Sequence, residues 1–391
     1  MPRPCAGAHA PSPQSCHLCK LVATRPDYAA LWGEWSPSFA AGGCRHRGAE
    51  LPGGAPLKTW ACALHGRCHL TAGARLDGVT DCSRCPDRPR AVVCTADGIG
   101  DAVLGLLAAA GVARAHPARE VAYRVKPHQL PWVRLFGGYD RADATAGFGR
   151  DDPDAFYPHL TYGEQNAERL SRPRWEHYAA ACGADAALPP VRPLPDAALR
   201  RAAGYRGAVV LCPRSQHGMR TWHLSHWLRL EAHLRGRGMR TVAIDSLPEP
   251  IAEFAGEKFV GLAPQEVAAL MLASWCVVAN DSGMAHVAGA LGVPVVVVSG
   301  VIRGERLYGF YRHPRCVDGP LGCTGCHWHG PDYRRACDSV CASLQAVEPG
   351  EAAAAVDRAA TSADFLDRVA SAARGSPRWS SAKARRQRYV T

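Results

Sequence analysis

Hydrophobic and polar positions fall into two regimes along the chain. Before residue 90 the apolar residues follow no sustained period. Beyond it, short β-branched runs alternate with stretches whose apolar residues recur every three or four positions, the signature of strands alternating with amphipathic helices. Residues 91–95 and 120–125 read as strands, separated by a helix over 102–112 that offers Val103, Leu104, Leu106 and Leu107 for packing. Gly137 and Gly138 mark a turn within 127–173, a stretch whose scattered polar residues predict long loops, and 174–182 reads as a helix. A Pro-rich segment at 188–195 then suits a linker. The alternation restarts with strands at 208–212 and 241–245, helices at 224–234 (Leu224, Trp227, Leu228 and Leu234 on one side) and 264–273, and strands at 276–279 and 295–298. Strands separated by helices, with buried Val runs, predict an α/β fold built on doubly wound parallel sheets.

The densest stretch is CVVANDSGMAHVAGALGVPVVVVSG, from Cys276 to Gly300. An apolar run meets Asn280-Asp281-Ser282, and Met284, Val287, Ala288 and Leu291 follow at helical spacing. Gly292 stands where a left-handed cap belongs and Pro294 blocks continuation. Strand, turn, helix, strand is implied, with backbone N–H groups and the positive end of a helix at a strand's carboxyl end, a place for an anionic group. Asp281 or Ser282 could equally serve only as a helix cap. His286, one turn into the helix, points back toward the strand ends. The wording N-D-S-G-M-x-H-x-A-x-A-L-G-x-P resembles the nucleotide-sugar motif of glycosyltransferase family 9, the heptosyltransferases. That resemblance implies that Asp281, Ser282, Gly283 and His286 contact the donor diphosphate.

Two further segments carry the same resemblance. Asp97-Gly98-Ile99-Gly100-Asp101 is a tight turn whose glycines permit close backbone approach, while Val103 occupies the third glycine position of a dinucleotide fingerprint. Asp101 alone would be explained as a favourable charge in a helix's first turn. G-x-G-D-A-x-L, followed by a helix and Ala115-His116-Pro117, is similar to the opening of family 9 enzymes, which implies Asp101 as the general base and Gly100 beside the donor. The loop PRSQHGMRTWHLSHW resembles the segment in which a basic residue ahead of Trp-Pro holds the diphosphate. The matching residue is Arg220, with His223 where Pro is usual. Asp245, Ser246 and Glu249 follow the 241–245 strand, where a ribose or base contact would fall, and Glu249 is the candidate taken there.

Composition narrows the setting. The 391 residues, 47% hydrophobic and 21% charged, suit a soluble globular protein of two domains with an appendage. The formal charge of +11 suggests anionic partners, and part of it lies in the basic stretch 374–388. No apolar run reaches membrane-spanning length, and the first thirty residues do not read as a signal peptide. Seventeen cysteines in a chain without an export signal point to metal rather than disulfides. Cys62, Cys68, Cys82 and Cys85 form the preferred N-terminal ligand set, with Cys44, His46, His65 and His69 in reserve and Cys16-x-x-Cys19 as a further half-site. Cys323-x-x-Cys326 and Cys337-x-x-x-Cys341 are spaced for a second four-thiolate site holding Zn²⁺ or Fe, with His327 and His329 nearby. The resemblance extends to the autotransporter heptosyltransferases, which implies an iron finger at this point.

The expectation is therefore a GT-B glycosyltransferase with two Rossmann-like domains. Its boundaries are a leader at 1–43, a Cys-rich metal module at 44–89, an acceptor domain at 90–195, a nucleotide-sugar domain with a four-Cys finger at 196–345, a helix at 346–373 returning to the first domain, and a basic tail at 374–391. The resemblance implies ADP-heptose as donor and a glycan, a lipid-linked lipopolysaccharide core or a protein side chain as acceptor. It also implies inverting transfer. A catalytic divalent metal is not expected, because Arg220, the N–H groups around Ser282 and Gly283, and His286 would neutralise the diphosphate, and the lack of an export signal predicts the cytoplasm, with peripheral inner-membrane contact left open. Two rivals remain: a nucleotide- or NAD-dependent epimerase or dehydrogenase on the same alternation, and a nucleic-acid-binding protein using the cysteines and basic tail, the latter disfavoured.

Overall fold

The computed structural model describes residues 90–95, 98–144, 155–156, 173–182, 184–326, 337 and 340–360. The Cys-rich module, His327, His329, the basic tail and the second half of the 346–373 helix lie outside the described residues.

The first unit runs β1 (Arg90–Cys94), α1 (Ile99–Ala115), β2 (Glu120–Val125), the short α2 (Leu130–Val133), β3 (Arg141–Ala144), β4 (Ala155–Phe156) and α3 (Arg174–Ala181). Its strands form a parallel sheet in the order β3-β2-β1-β4. The region expected as long loops thus carries a helix and two strands. The physical reason is that β3, Arg-Ala-Asp-Ala, is a half-exposed edge strand with no apolar alternation to announce it. The linker is held to this unit by Gly137 N–H donating to Pro190 O at 2.7 Å and Arg192 N–H to Leu135 O at 2.9 Å.

The second unit comprises α4 (Asp196–Ala203), β5 (Val209–Cys212), α5 (Leu224–Gly236), β6 (Thr241–Asp245), β7 (Glu257–Val260), α6 (Pro264–Ala273), β8 (Cys276–Asn280), α7 (Gly283–Ala290), β9 (Val295–Ser299), α8 (Glu305–Tyr308), β10 (Pro314–Asp318), α9 (Ala342–Gln345) and α10 (Pro349–Ala360). Its six strands are all parallel, ordered β10-β9-β8-β5-β6-β7. β5, β8 and β9 are buried along their whole length, as a sheet covered on both faces requires. The sequence reading missed β7 and β10: each closes an edge of the sheet, where charged residues (Glu257, Lys258, Arg315) are tolerated. Cys316 lies in β10. Gly292 does adopt the left-handed cap, with φ 68°. Among its described residues, the helix expected to return to the first domain packs as α10 on β8, β9, β10 and α5 of the second unit.

One buried side chain ties the 213–222 loop to the end of β8. Asn280, fully buried, accepts from Trp222 N–H at 3.0 Å through Oδ1 and donates from Nδ2 to Pro213 O. Trp222 is itself fully buried, edge-on to Trp227, with its indole N–H on Val347 O at 3.3 Å. Replacing Asn280→Ala leaves two buried backbone groups without partners, at roughly 1–3 kcal/mol each. Urea unfolding should show a loss of about 2–4 kcal/mol; a loss under 1 kcal/mol would mean that the clip is dispensable.

Candidate functional site

The two units meet at their glycine turns. A Cβ placed on Gly100 would lie 2.8 Å from His286 Cδ2, and one on Gly283 would lie 2.7 Å from Ile99 Cβ and 3.2 Å from Gly100 N. The N-terminus of α1, carrying Asp101, is thus set against the N-terminus of α7, carrying Ser282, Gly283 and His286. Of the predicted residues, Gly100, Asp101, Arg220, Asp281, Ser282, Gly283 and His286 come together here. Glu249 sits exposed in a 3-10 turn after β6.

Ser282 occupies the N-cap position of α7, in extended conformation, yet makes no side-chain capping bond. Its Oγ is buried without a hydrogen-bond partner, and so is Asp281 Oδ2. A cap role therefore does not account for either side chain. Asp281 is 3% exposed, accepts from the Tyr308 hydroxyl at 2.7 Å through Oδ1, and has Arg220 Nη1 at 3.6 Å from Oδ2, outside hydrogen-bond range. Ser215 Oγ donates to Asp281 O at 3.2 Å.

His286 lies between two tyrosines. Its ring stacks on Tyr308 with centroids 4.3 Å apart, and Nδ1 is 2.9 Å from the Tyr311 hydroxyl. Gly289 makes room for the Tyr311 ring, which lies directly against its Cα. Burial pulls the His286 pKa down to about 4, against the opposing pull of Asp281 and Asp101. The imidazole is therefore neutral at pH 7. Burial also raises the Tyr308 and Tyr311 phenols, so both stay protonated as donors.

Asp101 sits in the first turn of α1. Its Oδ1 accepts from the Tyr178 hydroxyl at 2.7 Å and lies 3.4 Å from Arg174 Nη1, while Oδ2 is 3.4 Å from Gly98 N. Arg214 joins β5 to β6, with Nε 2.9 Å from Asp245 Oδ1 and Nη2 on Ser246 Oγ. His223, in place of the usual Pro, caps α5 by accepting from Ser225 N–H through Nδ1 at 3.3 Å. Sequence reasoning missed Tyr308, Tyr311, Tyr178, Arg174 and Arg214. Only the repeated tyrosines of Tyr-Gly-Phe-Tyr offered a signal for any of them.

The four cysteines of the finger sense one another: burial first, then the charges of Cys341, Cys337 and Cys323, raise the Cys326 thiol. Sulfur donors of this kind suit zinc or iron. Yet among the described residues no three His, Cys, Asp or Glu side chains are grouped to hold an ion. Cys341 is buried and turned inward, its sulfur accepting from Leu344 N–H at 3.4 Å as the cap of α9. The mutual influence of Cys323, Cys326, Cys337 and Cys341 places the four sulfurs near one another, and a sulfur that accepts a backbone N–H can still ligate a metal. Cys62, Cys68, Cys82 and Cys85 lie outside the described residues. No helix among the described residues is long and apolar enough to cross a membrane.

Comparisons with known proteins bear on the family and the fold. The sequence model of glycosyltransferase family 9 (heptosyltransferase) matches residues 188–327, which include Arg214, Arg220, the Asp281 turn and both tyrosines. No curated protein matches the chain. Among solved structures, E. coli ADP-heptose LPS heptosyltransferase II aligns with a TM-score of 0.52 at 14% identity, over 69% of this chain and 98% of that one. The glycosyl transferase family 9 protein of Veillonella parvula DSM 2008 aligns at 0.54 and 13% identity, over 70% and 97%. The iron-containing dodecameric glycosyltransferase TibC of enterotoxigenic E. coli H10407 aligns at 0.53 and 16% identity, over 70% and 76%. At these identities the structures establish a shared fold, the GT-B arrangement of two parallel-sheet units. The family match supports a glycosyltransferase enzyme.

The depressed His286 pKa carries a stability consequence. In the unfolded chain the ring takes up a proton below its ordinary value of about 6.5, while the folded site refuses it down to about 4. The stability from the neutral ring is complete above pH 6.5 and is lost as the pH falls toward 4, by up to about 3 kcal/mol. Against His286→Asn, the wild type should lose more stability between pH 7 and pH 4.5 in urea titrations; parallel losses would contradict a buried neutral ring.

Proposed function

We propose that the chain transfers a sugar, heptose, from a nucleoside-diphosphate sugar, ADP-heptose, to a hydroxyl of a glycan, lipopolysaccharide core or protein, with inversion. E. coli ADP-heptose LPS heptosyltransferase II and a TibC complex with ADP-D-beta-D-heptose, which share the fold, suggest this donor and point to a glycan acceptor. The observation that carries the reading is the pair of buried atoms without hydrogen-bond partners, Ser282 Oγ and Asp281 Oδ2, at the N-terminus of α7, the second of them 3.6 Å from Arg220. Buried polar atoms are nearly always paired, so an unpaired pair at a helix N-terminus marks where a ligand binds.

The chemistry follows from the donor and acceptor character of each group. Ser282 O–H, the first N–H groups of α7 and the Arg220 guanidinium all donate and suit diphosphate oxygens. The Asp281 carboxylate only accepts, so it does not bind a phosphate oxygen. It holds Tyr308 and balances Arg220, and its Oδ2 accepts from a sugar hydroxyl. With Tyr311 donating to Nδ1, His286 carries its proton on Nε2 and adds one more neutral donor. Across the glycine contact, Asp101 removes the proton from the acceptor hydroxyl as its oxygen bonds to the anomeric carbon. The bond from that carbon to the diphosphate oxygen breaks, and its electron pair leaves on the nucleoside diphosphate. Charge grows on the leaving group, so these donors act most strongly in the transition state.

Arg220 and the helix N–H groups neutralise the diphosphate, so transfer should persist in EDTA; loss of activity that Mg²⁺ restores would overturn the metal-independent step. In thermal-shift titrations one sugar nucleotide should stabilise the protein, with Ser282→Ala weakening it about tenfold and Asp281→Ala abolishing the shift. Asp101→Ala should retain the shift and lose transfer. Stabilisation by NAD alone would sink the reading.

A further inference from the structure

Helix α3 supplies two groups to Asp101 from far away in sequence. Tyr178, 1% exposed, places its hydroxyl 2.7 Å from Asp101 Oδ1, and Arg174 brings Nη1 to 3.4 Å of the same oxygen. The same helix reaches the second unit through Trp175. Its ring centroid lies 6.2 Å from that of Phe310, and its Cη2 would be 3.0 Å from a Cβ on Gly309. Gly309 and Phe310 sit between Tyr308 and Tyr311, the two residues that hold Asp281 and His286. One short helix thus touches the carboxylate on one side of the site and the segment that builds the other side.

We propose that Tyr178 is the positioning residue for the Asp101 carboxylate, and that α3, docked by Trp175 on the 309–310 segment, sets the carboxylate's orientation relative to the donor. This rests on the reading of Asp101 as the base of a glycosyl transfer. The Tyr178 hydroxyl occupies Oδ1, and Oδ2, which has only a long 3.4 Å contact from Gly98 N–H, is the oxygen offered to the acceptor hydroxyl. A carboxylate held in one rotamer by a buried phenol presents its proton-accepting oxygen at a defined point, and proton transfer is sensitive to that point. The bond also stabilises the charged form of the carboxylate, as does Arg174. His286 on α7 and Tyr123 on β2 also interact with the Asp101 charge. Neither is charged at pH 7, whereas Arg174 brings a positive charge to Asp101 and Tyr178 a short hydrogen bond.

The test is Tyr178→Phe, which removes one oxygen and keeps the buried ring. The expected result is a kcat about tenfold lower, a donor KM within twofold of wild type, and an acidic limb of the kcat–pH profile moved to higher pH. A purely structural tyrosine would not move that limb. Wild-type kcat with an unmoved limb would overturn the proposal, and so would a rise in donor KM at constant kcat. Should Tyr178→Phe fail to fold, Arg174→Gln is expected to move the limb in the same direction with a smaller loss of kcat, and an unmoved limb there would overturn the proposal. A readout independent of turnover separates this inference from the functional one. In ¹³C-carboxyl aspartate-labelled protein, with the signal assigned by Asp101→Asn, the Asp101 resonance should titrate at higher pH in Tyr178→Phe than in wild type. If wild type transfers no sugar from any nucleotide sugar, the functional reading fails, and the resonance alone decides whether Tyr178 governs Asp101: a shift supports the proposal and coincident titrations overturn it.

Discussion

Gly100 and Gly283 meet where a Cβ on Gly283 would strike Ile99 and one on Gly100 would strike His286. The two glycines let the tips of α1 and α7 approach until Ile99 and His286 lie against the facing backbone. Two helix N-termini brought together concentrate positive potential at one spot, a cost that side chains between them would relieve by distance. The chain accepts the closeness and places two carboxylates beside it, Asp101 and Asp281. Each is then committed elsewhere: Asp101 to α3, and Asp281 to Tyr308 with Arg220 nearby. The positive field is thus left for a ligand with negative charge, and the carboxylates are held at its margins.

That arrangement explains the aromatic cluster behind α7. A histidine at this contact would gain a proton near neutral pH if it were solvated. Burial between Tyr308 and Tyr311 keeps it neutral and fixed in orientation, and Gly289 gives up its side chain so that Tyr311 can lie close. Trp175 docks on the same segment, so packing between the units and polar geometry within the site are carried by neighbouring residues. A shift of one should be felt by the other, because close-packed interiors transmit displacement rather than absorb it.

How far the sequence reveals this depends on how local each interaction is. The Val runs of β8 and β9 and the Gly292 cap are set by residues a few positions apart, and they are legible as such. The Asp281 turn is legible too, although its role as a simple cap could be excluded only once Ser282 Oγ was found without a partner. β3 and β7 escaped because edge strands need no apolar alternation. Tyr178 and Arg174 escaped because their partner is more than seventy residues away, and no periodicity links a helix to a carboxylate that far upstream. The cysteine spacing at 323–341 was legible as a pattern, but spacing does not dictate that each sulfur points to a common centre. Cys341 also caps a helix with its sulfur, a contact that spacing does not announce.

The distribution of satisfied and unsatisfied groups gives the clearest division of labour. Asn280, next to Asp281 in the chain, has both ends of its amide paired within the second unit, and its task is to hold the 213–222 loop that delivers Arg220. Asp281 has one oxygen hydrogen-bonded and the other only within reach of the Arg220 charge, and the Ser282 hydroxyl has no hydrogen bond. Along three consecutive residues, pairing decreases toward the interface with the first unit. A buried group without a hydrogen bond costs about 1–3 kcal/mol, which a ligand supplying the missing bond would recover. Two such groups stand where two helix N-termini converge, and there a site gains by leaving its hydrogen-bonding capacity for the ligand.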